Sequence, residues 1–528
     1  MAIESSTAEM HPSRWGDPAQ AAPLADSARG LVEMVFGLDE RPAATEVVVP
    51  PSRLEPAVRV ALEELLGREH VLTDDGTRRL RTRGKSTPDL LRQRAGDLAD
   101  APDVVVRPST HDEVAAVLTY AVAHHLAVVP FGGGTSVTGG LVARREGYEG
   151  VVSLDLVRMK RLLAVDRVSM TATLEPGLRG PEAEALLAAE GLTLGHFPQS
   201  FEHATIGGFA ATRSSGQSSA GYGRFDALVV GLRAATPRGE LALGSAPASA
   251  AGPDLRQLLL GSEGAFGVIT AVTVRVRPVP AEKVYEGWRW PTFDAGRDAM
   301  RSLAQAGLLP TVLRLSDEAE TSINLARPDA IGSEATSGCL MIAGYEGEPG
   351  AVAAKRTAVT AVLTGLGGVP QGEEPGRAWA HGRFHAPYLR DSLLDVGVLV
   401  ETLETATFWS NVPRLHADVK AALETALGSP ALVLCHVSHV YETGCSLYFT
   451  VAAKQSDDPV AQWLAAKAAA SDAIVAAGAT ITHHHAVGTD HRPWLAAEIG
   501  ELGVGVLRAV KAELDPTGIL NPGVLVTP

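Results

Sequence analysis

The sequence predicts an α+β protein with a two-subdomain first half and a second α+β domain behind it. The chain has 528 residues, 45% hydrophobic and 20% charged, a globular composition that is too long for one hydrophobic core. From Asp103 a strand, a helix and a strand follow one another and end in a glycine-rich loop. Helices and strands mix again beyond Pro278-Val279-Pro280, so we predict a domain boundary there.

Apolar periodicity and turn residues give the order of the elements. A helix over Glu55–Leu66 comes first, and Thr110 and Glu113 form the capping box of another helix, which ends near His125. Strands are predicted over Asp103–Val106, Leu126–Val129, Val151–Leu156, Met170–Glu175, Leu228–Ala234 and Val268–Val276, with a hairpin turn at Thr236–Gly239 and a surface loop over Leu241–Asp254. The second domain mixes helices and strands over Val352–Leu366, Leu415–Leu427, Leu432–Val440, Ser446–Ala453 and Val460–Ala477.

Composition and charge exclude several classes of function. The net charge is −15 and no concentrated basic face is visible, so nucleic acid is not expected as a partner. The basic stretch Arg78–Arg94 is interpreted as a solvated helix face. Three cysteines without CxxC spacing fit a reducing compartment, and we find no signal peptide and no apolar run of membrane length. A cytoplasmic protein is expected, and shallow contact with a membrane surface stays open.

Three glycine-dense stretches predict a binding site for a dinucleotide. They are the loop Gly132–Gly140, the run Thr205–Gly216 and the segment Gly261–Thr270. Glycine lets the main chain approach a ligand closely, so that successive N–H groups can surround a pyrophosphate. Taken alone, the first loop is equally well explained as a surface turn, because it has neither the Walker lysine nor the GxGxxG spacing. The predicted cofactor-binding residues are Pro130, Gly132, Gly133, Gly134, Thr135, Ser136, Pro198, Ser200, Thr205, Gly207, Gly208, Thr212, Ser215, Gly216, Glu263, Gly264, Gly267, Val268 and Ile269.

The triplet His483-His484-His485 is the second candidate site. In an extended chain His483 and His485 would share one face and His484 would take the other, so the three rings are not expected to converge on one metal ion. Imidazole is suited to proton transfer near neutral pH, which favours acid/base chemistry. The alternative is a surface histidine cluster.

Two arginines and a tyrosine complete the candidate set. Arg314 and Arg390 stand in or beside apolar runs, where a guanidinium must be paired or must bind an anion. A structural salt bridge is the alternative for both, and Asp391 favours it for Arg390. Tyr448 lies in a predicted strand, and on its own it is better explained as a core residue.

The glycine-dense stretches, with Ala235–Gly239, Arg277–Pro280 and the ending Asp515-Pro516…Asn521-Pro522, resemble the FAD-linked oxidase family with the vanillyl-alcohol-oxidase-type (PCMH-type) FAD-binding fold. Within it, the histidine triplet is most similar to that of the alkyldihydroxyacetonephosphate (alkylglycerone-phosphate) synthases. The resemblance runs from about Arg81 to Pro522. We therefore expect an N-terminal arm and helical region over 1–98, an FAD-binding domain over 99–280, a cap domain for the substrate over 281–480, and a segment over 481–528 that returns the triplet to the FAD domain.

The resemblance implies FAD held without a covalent bond, because Thr135 stands where covalently flavinylated relatives have a histidine. It implies exchange of the acyl chain of acyl-dihydroxyacetone phosphate for a fatty alcohol, through a flavin N5 adduct and with no net redox change. His484 and His485, with His483 in the same triplet, would then move protons at C1 of the substrate. Tyr448 would assist as acid or base, and Arg390 and Arg314 would bind the phosphate or orient the flavin intermediate.

Some positions depart from related enzymes. Metal-dependent hydroxy-acid dehydrogenases of this family carry a glutamate where His484 stands, and their second metal-binding segment has two histidines. Here that segment, His439 to Phe449, keeps one histidine and has Tyr448 near the position of the other, so no metal is expected. Ala271, Ala486 and Gln217–Gly223 also depart from the synthase pattern, which leaves the substrate open. An FAD-dependent oxidase or dehydrogenase of a hydroxy acid or other alcohol is the second hypothesis, and a flavin-binding protein without turnover is the third. A homodimer is expected.

Overall fold

The computed structural model describes residues 9–21, 24–323 and 337–527. The helices are α1 (Asp26–Phe36), α2 (Pro56–Leu66), α3 (Asp75–Leu80), α4 (Thr87–Arg94), α5 (His111–Ala123), α6 (Gly180–Ala189), α7 (Ile206–Thr212), α8 (Ser219–Tyr222), α9 (Phe225–Leu228), α10 (Arg256–Leu259), α11 (Phe293–Gln305), α12 (Glu318–Ser322), α13 (Pro349–Gly365), α14 (Glu374–Gly382), α15 (Ala386–Asp395), α16 (Val412–Leu427), α17 (Pro459–Ala476) and α18 (Leu495–Leu514). The strands are β1 (Val71–Leu72), β2 (Val104–Val106), β3 (Leu126–Phe131), β4 (Gly150–Asp155), β5 (Leu162–Asp166), β6 (Thr171–Leu174), β7 (Leu192–Thr193), β8 (Val229–Thr236), β9 (Gly239–Leu243), β10 (Val268–Arg275), β11 (Arg277–Pro278), β12 (Glu282–Trp290), β13 (Val312–Ser316), β14 (Cys339–Gly347), β15 (Val369–Gly372), β16 (Val398–Phe408), β17 (Ala431–Val440) and β18 (Gly444–Lys454).

The first sheet has four strands in the order β1-β2-β4-β3. Strands β2, β3 and β4 are parallel, as the predicted β-α-β unit requires, and α5 begins where expected, with the Thr110 hydroxyl accepting the N–H of Glu113 at 3.1 Å. Helices α2 and α5 cover this sheet with Leu62, Val114 and Leu118 fully buried. Strand β3 lies at the sheet edge and leads directly into the loop Gly132–Gly140. Strand β1 lies in the region assigned to the N-terminal arm, so this sheet continues across the expected boundary at residue 98.

The second sheet has five antiparallel strands in the order β5-β6-β10-β8-β9. Strand β10 follows the third glycine-dense stretch, so the sheet fixes the position of that stretch. The surface loop predicted to begin at Leu241 begins later, because residues 241–243 still pair with β8 beyond the hairpin turn.

The third sheet has seven antiparallel strands in the order β15-β12-β14-β13-β17-β18-β16. Side chains alternate between its faces. On β18, Leu447, Phe449 and Val451 are fully buried in the core formed with α11, α13, α16 and α17, whereas Tyr448 and Thr450 face a cavity on the other side. This alternation puts polar side chains opposite the glycine loops.

The basic stretch Arg78–Arg94 is not a solvated helix face, and that interpretation is wrong. Arg81 binds Asp155 at 2.8 Å, and Arg83 binds Asp100 at 2.5 Å. The side chains of Arg81, Arg83 and Asp155 are at least 94% buried, and that of Asp100 is less so. The cations alternate with carboxylates of other segments, and burial of paired charges explains the density of arginine here. The stretch therefore joins the N-terminal region to the first sheet.

The chain end returns to the first sheet. Leu520 forms a parallel bridge with Val128, and the N–H of Asn521 donates to the Val128 carbonyl at 2.8 Å. Within the described ranges, no helix is both long enough and apolar enough to cross a bilayer.

Candidate active site

A cavity of about 730 Å³ lies between the glycine-dense loops and the polar face of the third sheet. Every predicted cofactor-binding residue lines it except Gly216, which packs against the backbone of Phe197. The walls also carry most of the residues predicted to do chemistry, namely Arg314, Arg390, Tyr448, His484 and His485. Segments that are distant in sequence therefore converge on one space, as the sequence predicts.

The glycine loop has no room for side chains. A Cβ atom on Gly133 would lie 1.9 Å from the carbonyl oxygen of His203, and one on Gly132 would lie 2.4 Å from Oγ1 of Thr205. The loop thus contacts the start of the second glycine-dense run through its main chain, and its amide groups border the cavity. A narrow cradle made of main-chain groups is what an extended dinucleotide requires, so these residues fit FAD.

Contacts around Glu263 connect the first and third glycine-dense stretches to the C-terminal segment. Glu263 Oε2 accepts the N–H of Gly488 at 2.7 Å, and Asn521 Nδ2 donates to the carbonyl oxygens of Glu263 and Gly140 at 2.6 and 2.9 Å. Burial raises the pKa of Glu263 to about 8, so this side chain holds a proton near neutral pH in the protein without ligand. The contacts hold the triplet segment against the glycine loop.

The histidine triplet is bent, and the expectation of an extended chain is wrong. His484 and His485 line the cavity together, whereas His483 lies behind them and does not line it. Nε2 of His483 is 2.5 Å from the Tyr441 hydroxyl. His483 is thus a correction to the predicted catalytic set, because its ring is held by Tyr441 and turned away from the cavity.

The cause of the bend is Glu404 of β16, which the sequence analysis missed. Its buried carboxylate accepts the backbone N–H groups of His483, His484 and His485 at 2.7, 3.1 and 3.0 Å, and the Thr482 hydroxyl at 2.6 Å. The signal in the sequence is weak, because the strand Val398–Phe408 holds two glutamates, Glu401 and Glu404, and nothing local shows what either one faces.

Two cavity side chains have clear protonation states near neutral pH. Burial, together with the neighbouring His484, lowers the pKa of His485 to about 3, so this imidazole is neutral and can accept a proton. Burial raises the pKa of Tyr448 to about 12, so the phenol is neutral and can donate. Its hydroxyl donates to Thr402 Oγ1 at 3.1 Å. The cavity therefore offers a proton acceptor and a proton donor.

The two predicted arginines differ in how their charge is used. Arg314 donates to the buried carboxylate of Glu320 and lies 3.2 Å from His436 Nδ1, so the salt-bridge alternative is correct for it. Arg390 donates through Nη1 to the carbonyl of Lys85 at 2.7 Å, and its Nε is 3.6 Å from Asp391. Nη2 of Arg390 has no hydrogen-bond partner among the described residues. Arg390 is therefore the better candidate for binding an anion.

A cluster of imidazoles lies behind the cavity. Ring nitrogens of His439, His483 and His484 are within 4.8 Å of one another, closer than the sequence led us to expect. Hydrogen bonds already engage them, since Ser219 Oγ is 2.6 Å from His439 Nδ1 and the two Nδ1 atoms of His483 and His484 are 3.0 Å apart. That no metal binds here stays a prediction.

The N-terminal arm contributes to the cavity wall, which the sequence analysis did not foresee. The N–H of Trp15 donates to Asp391 at 2.5 Å, and Lys85 Nζ donates to the carbonyls of His11 and Pro12 at 2.5 and 2.9 Å. Trp15 and one face of α1 line the cavity.

Comparison with known proteins agrees with this geometry. The model of the FAD binding domain matches residues 102–243, and that of the C-terminal domain of FAD linked oxidases matches residues 279–525. Alkyldihydroxyacetonephosphate synthase of Dictyostelium discoideum is 35% identical over 523 residues, which cover 94% of this chain and 85% of that protein. The chain belongs to the alkyldihydroxyacetonephosphate synthase family. As a member of this family of FAD-linked enzymes, it binds FAD in a PCMH-type fold, and both predictions are confirmed.

Other relatives of the synthase family agree. The Trypanosoma brucei brucei alkyldihydroxyacetonephosphate synthase is 33% identical over 503 residues, covering 90% of this chain and 81% of that protein. A solved alkyldihydroxyacetonephosphate synthase structure superposes with a TM-score of 0.83 at 30% identity, covering 97% of this chain and 98% of the other. p-Cresol methylhydroxylase superposes with a TM-score of 0.68 at 16% identity over 91% of this chain and 99% of the other, which shows a shared fold alone.

Proposed function

We propose that this chain exchanges the acyl chain of acyl-dihydroxyacetone phosphate for a fatty alcohol, a step of ether lipid synthesis. One observation carries the proposal: the cavity joins a neutral imidazole, a neutral phenol and the guanidinium of Arg390 to an apolar extension. The side chains of that extension include Leu31, Val32, Phe36, Leu393, Val398 and Leu432. A substrate with a phosphate at one end and alkyl chains at the other matches this distribution.

The glycine-dense stretches and Glu263 would hold FAD at the polar end of the cavity. Bound there, FAD supplies a ring that can take up electron density from the reacting carbon. The fork of Arg390 suits a phosphate, since a guanidinium can form two parallel hydrogen bonds to it.

The transfer is balanced without net oxidation. The bond between C1 and the acyloxy oxygen breaks, and the electron pair leaves with the fatty-acid carboxylate. The alcohol oxygen forms the new bond to C1, and its hydroxyl proton passes to the neutral His485 and then to solvent. Tyr448 stays protonated, and its one hydroxyl hydrogen turns from Thr402 Oγ1 to a substrate oxygen.

Purified yellow holoenzyme tests the proposal with palmitoyl-dihydroxyacetone phosphate and labelled hexadecanol. The expected result is an alkyl product by mass spectrometry, one free fatty acid per ether bond, and flavin that is oxidised after turnover. The FAD-loaded His485→Ala variant supplies the background. A holoenzyme that makes no ether would contradict the proposal, and anaerobic bleaching of its flavin by lactate or glycolate would point to the oxidase or dehydrogenase alternative.

Three finer expectations belong to the same proposal. They are a homodimer, a cytoplasmic location and peripheral contact with a membrane, since both substrates are lipids. Sedimentation velocity measures the first, and flotation with anionic vesicles measures the third. Non-covalent attachment of FAD predicts that acid precipitation releases all flavin from the protein.

A further inference from the structure

Glu404 stands on the third sheet, yet all of its strong hydrogen bonds go to the C-terminal segment. Oε1 accepts from Thr482 Oγ1 and from the N–H groups of His484 and His485, and Oε2 accepts the N–H of His483. The carboxylate has no exposed surface. A buried carboxylate is stable only when its oxygens are satisfied in this way.

Three successive N–H groups can point at one carboxylate only if the chain curves around it. An extended chain would direct neighbouring N–H groups and side chains to opposite sides. The curvature is therefore what brings His484 and His485 to one cavity wall. In this way a single side chain of the third sheet determines the shape of the segment that carries the histidine triplet.

The same carboxylate lies close to two of the imidazoles. Oε2 is 3.4 Å from Nδ1 of His484, and Oε1 is 4.0 Å from Nδ1 of His485. Burial alone would raise the pKa of Glu404, but His484, His485 and His483 hold it well below the ordinary value. A negative charge at this distance favours the protonated form of His485, because Glu404 raises the pKa of that imidazole against the larger lowering by burial.

We propose that Glu404 is the positioning residue of the histidine triplet, which bends residues 482–485 into the cavity and whose charge stabilises the imidazolium that forms when His485 takes up the proton of the alcohol. The inference rests on the proposed function for its kinetic part only. The bend is a property of the protein whatever its substrate.

Other charged groups near this site must be kept constant in any test. The titratable groups that interact with Glu404 or with the triplet from neighbouring elements include His439 on β17, Tyr448 on β18, Lys467 on α17, His196, Arg224, Tyr441 and His491. Substitutions at Glu404 leave all of them in place.

Two variants separate charge from geometry. Glu404→Gln keeps the size but removes the charge and turns one acceptor into a donor that faces an N–H group. Glu404→Asp keeps the charge but shortens the reach by one methylene group. Glu286→Gln in β12 is the matched control, since it removes the charge of another buried carboxylate of the third sheet that does not line the cavity.

The first measurement needs no substrate. Hydrogen exchange of holoenzyme, followed by mass spectrometry, is expected to speed up at least tenfold in the peptide that contains residues 480–488 for both Glu404 variants. Peptides of α13 are expected to exchange as in the unaltered protein. Unchanged hydrogen exchange over 480–488 in both variants would contradict the proposal that Glu404 holds this segment in its bent conformation.

The second measurement is the pH profile of kcat with FAD-saturated protein. Glu404→Gln is expected to lower kcat about 100-fold, with KM within about threefold, and to move the acid limb to lower pH. Glu404→Asp is expected to lower kcat less and to leave the acid limb of the pH profile in place. The control Glu286→Gln should keep kcat within about threefold of that of the unaltered enzyme. A profile that does not move in Glu404→Gln would overturn the charge effect.

The outcomes remain distinguishable if a variant or the proposed function fails. If Glu404→Gln does not take up FAD, the test of the positioning role rests on Glu404→Asp. Unchanged kcat and unchanged hydrogen exchange over 480–488 in that variant would contradict the role. If the unaltered enzyme makes no ether, the proposed function is wrong. Hydrogen exchange still tests whether Glu404 bends the triplet segment, because that measurement needs no substrate.

Discussion

At position 133 a side chain would meet the backbone of the neighbouring run, since its Cβ would be 1.9 Å from the His203 carbonyl. Gly133→Ala must shift the loop into the FAD cradle. Overpacking of this kind costs about 1–3 kcal/mol, so we expect FAD affinity to fall roughly 10- to 100-fold. The loss of FAD affinity is measured as the flavin absorbance per protein after dialysis. Gly350→Ala in α13 has open space around it and should keep its flavin; equal loss in both variants would contradict the cradle.

His485 is the imidazole that faces the cavity in its neutral form. His485→Ala should lower single-turnover rates about 10²- to 10⁴-fold and leave the protein yellow, since this range is typical of a lost acid or base. His483→Ala should cost less, because that ring lies behind the cavity and bonds Tyr441. His124→Gln, at an exposed position, controls for loss of any histidine. Equal rates in His485→Ala and His124→Gln would exclude His485 from the reaction.

Arg390 and Arg314 should respond differently to substitution. Arg390→Lys loses the planar fork and should raise KM for the phosphate-bearing substrate about tenfold or more, with little change in the melting temperature. Arg314→Ala breaks a buried pair with Glu320 and should lower the free energy of unfolding by up to ~3–5 kcal/mol. Initial rates and thermal melts measure both. If the two variants showed the same pattern, the assignment of ligand and structural arginine would be wrong.

Among the elements, α1 is the one whose apolar face serves two purposes. Val32 and Phe36 are buried against Val396 and Val398, and the same face lines the cavity. Val32→Asp puts an unpaired charge there, so we expect a loss of stability on the order of 3 kcal/mol and a higher KM for long-chain alcohols. Met34→Asp, whose side chain is 83% exposed, is the matched control in a micellar assay. Equal effects of Val32→Asp and Met34→Asp would mean that the apolar face of α1 contributes neither to stability nor to binding of the alcohol.

The order of elements was predictable because it depends on local signals. The Thr110 cap, the strand that leads into the glycine loop at Gly132 and the apolar alternation along β18 each depend on a few adjacent residues. The basic stretch was misread because Arg81 and Arg83 are buried by carboxylates from other segments. Hydropathy of the stretch itself cannot reveal such partners.

The site was predictable only in part, for the same reason. Glycine density identified the segments that meet at the cavity, and the family resemblance identified the triplet. The conformation of the triplet depends on Glu404, about eighty positions away in sequence. A histidine run has no intrinsic preference that would bend it, so its faces could not be assigned without the strand that holds the carboxylate.

For the whole molecule, several buried histidines determine how stability depends on pH. Burial lowers the pKa of His196 and His485 to about 3 and that of His203 and His491 to about 4. In the unfolded chain each would titrate near 6.5, so the unfolded state takes up more protons below that value. Their contribution is complete above pH ~6.5 and is lost as the pH falls towards 4.

Glu263 acts in the opposite direction. Its pKa of about 8 lies above that of an ordinary carboxyl group, so its contribution is complete below pH ~4.5 and is lost as the pH rises through 8. A single carboxyl group is outweighed by four histidines between pH ~6.5 and ~4. The protein without FAD should therefore lose stability in that window.

Thermal melts of apoprotein at a series of pH values test this expectation. The melting temperature should fall steadily as the pH is lowered from about 6.5 to about 4.5, because each buried imidazole must be protonated on unfolding. His196→Gln should make the decline shallower, since His196 lies between Phe209 and Phe225, with ring centroids 4.8 and 5.0 Å away, where burial disfavours its charged form. His124→Gln should leave the slope unchanged. A melting temperature that does not change across this pH window would show that these imidazoles take up protons in the folded protein. The neutral state assigned to His485 would then be wrong.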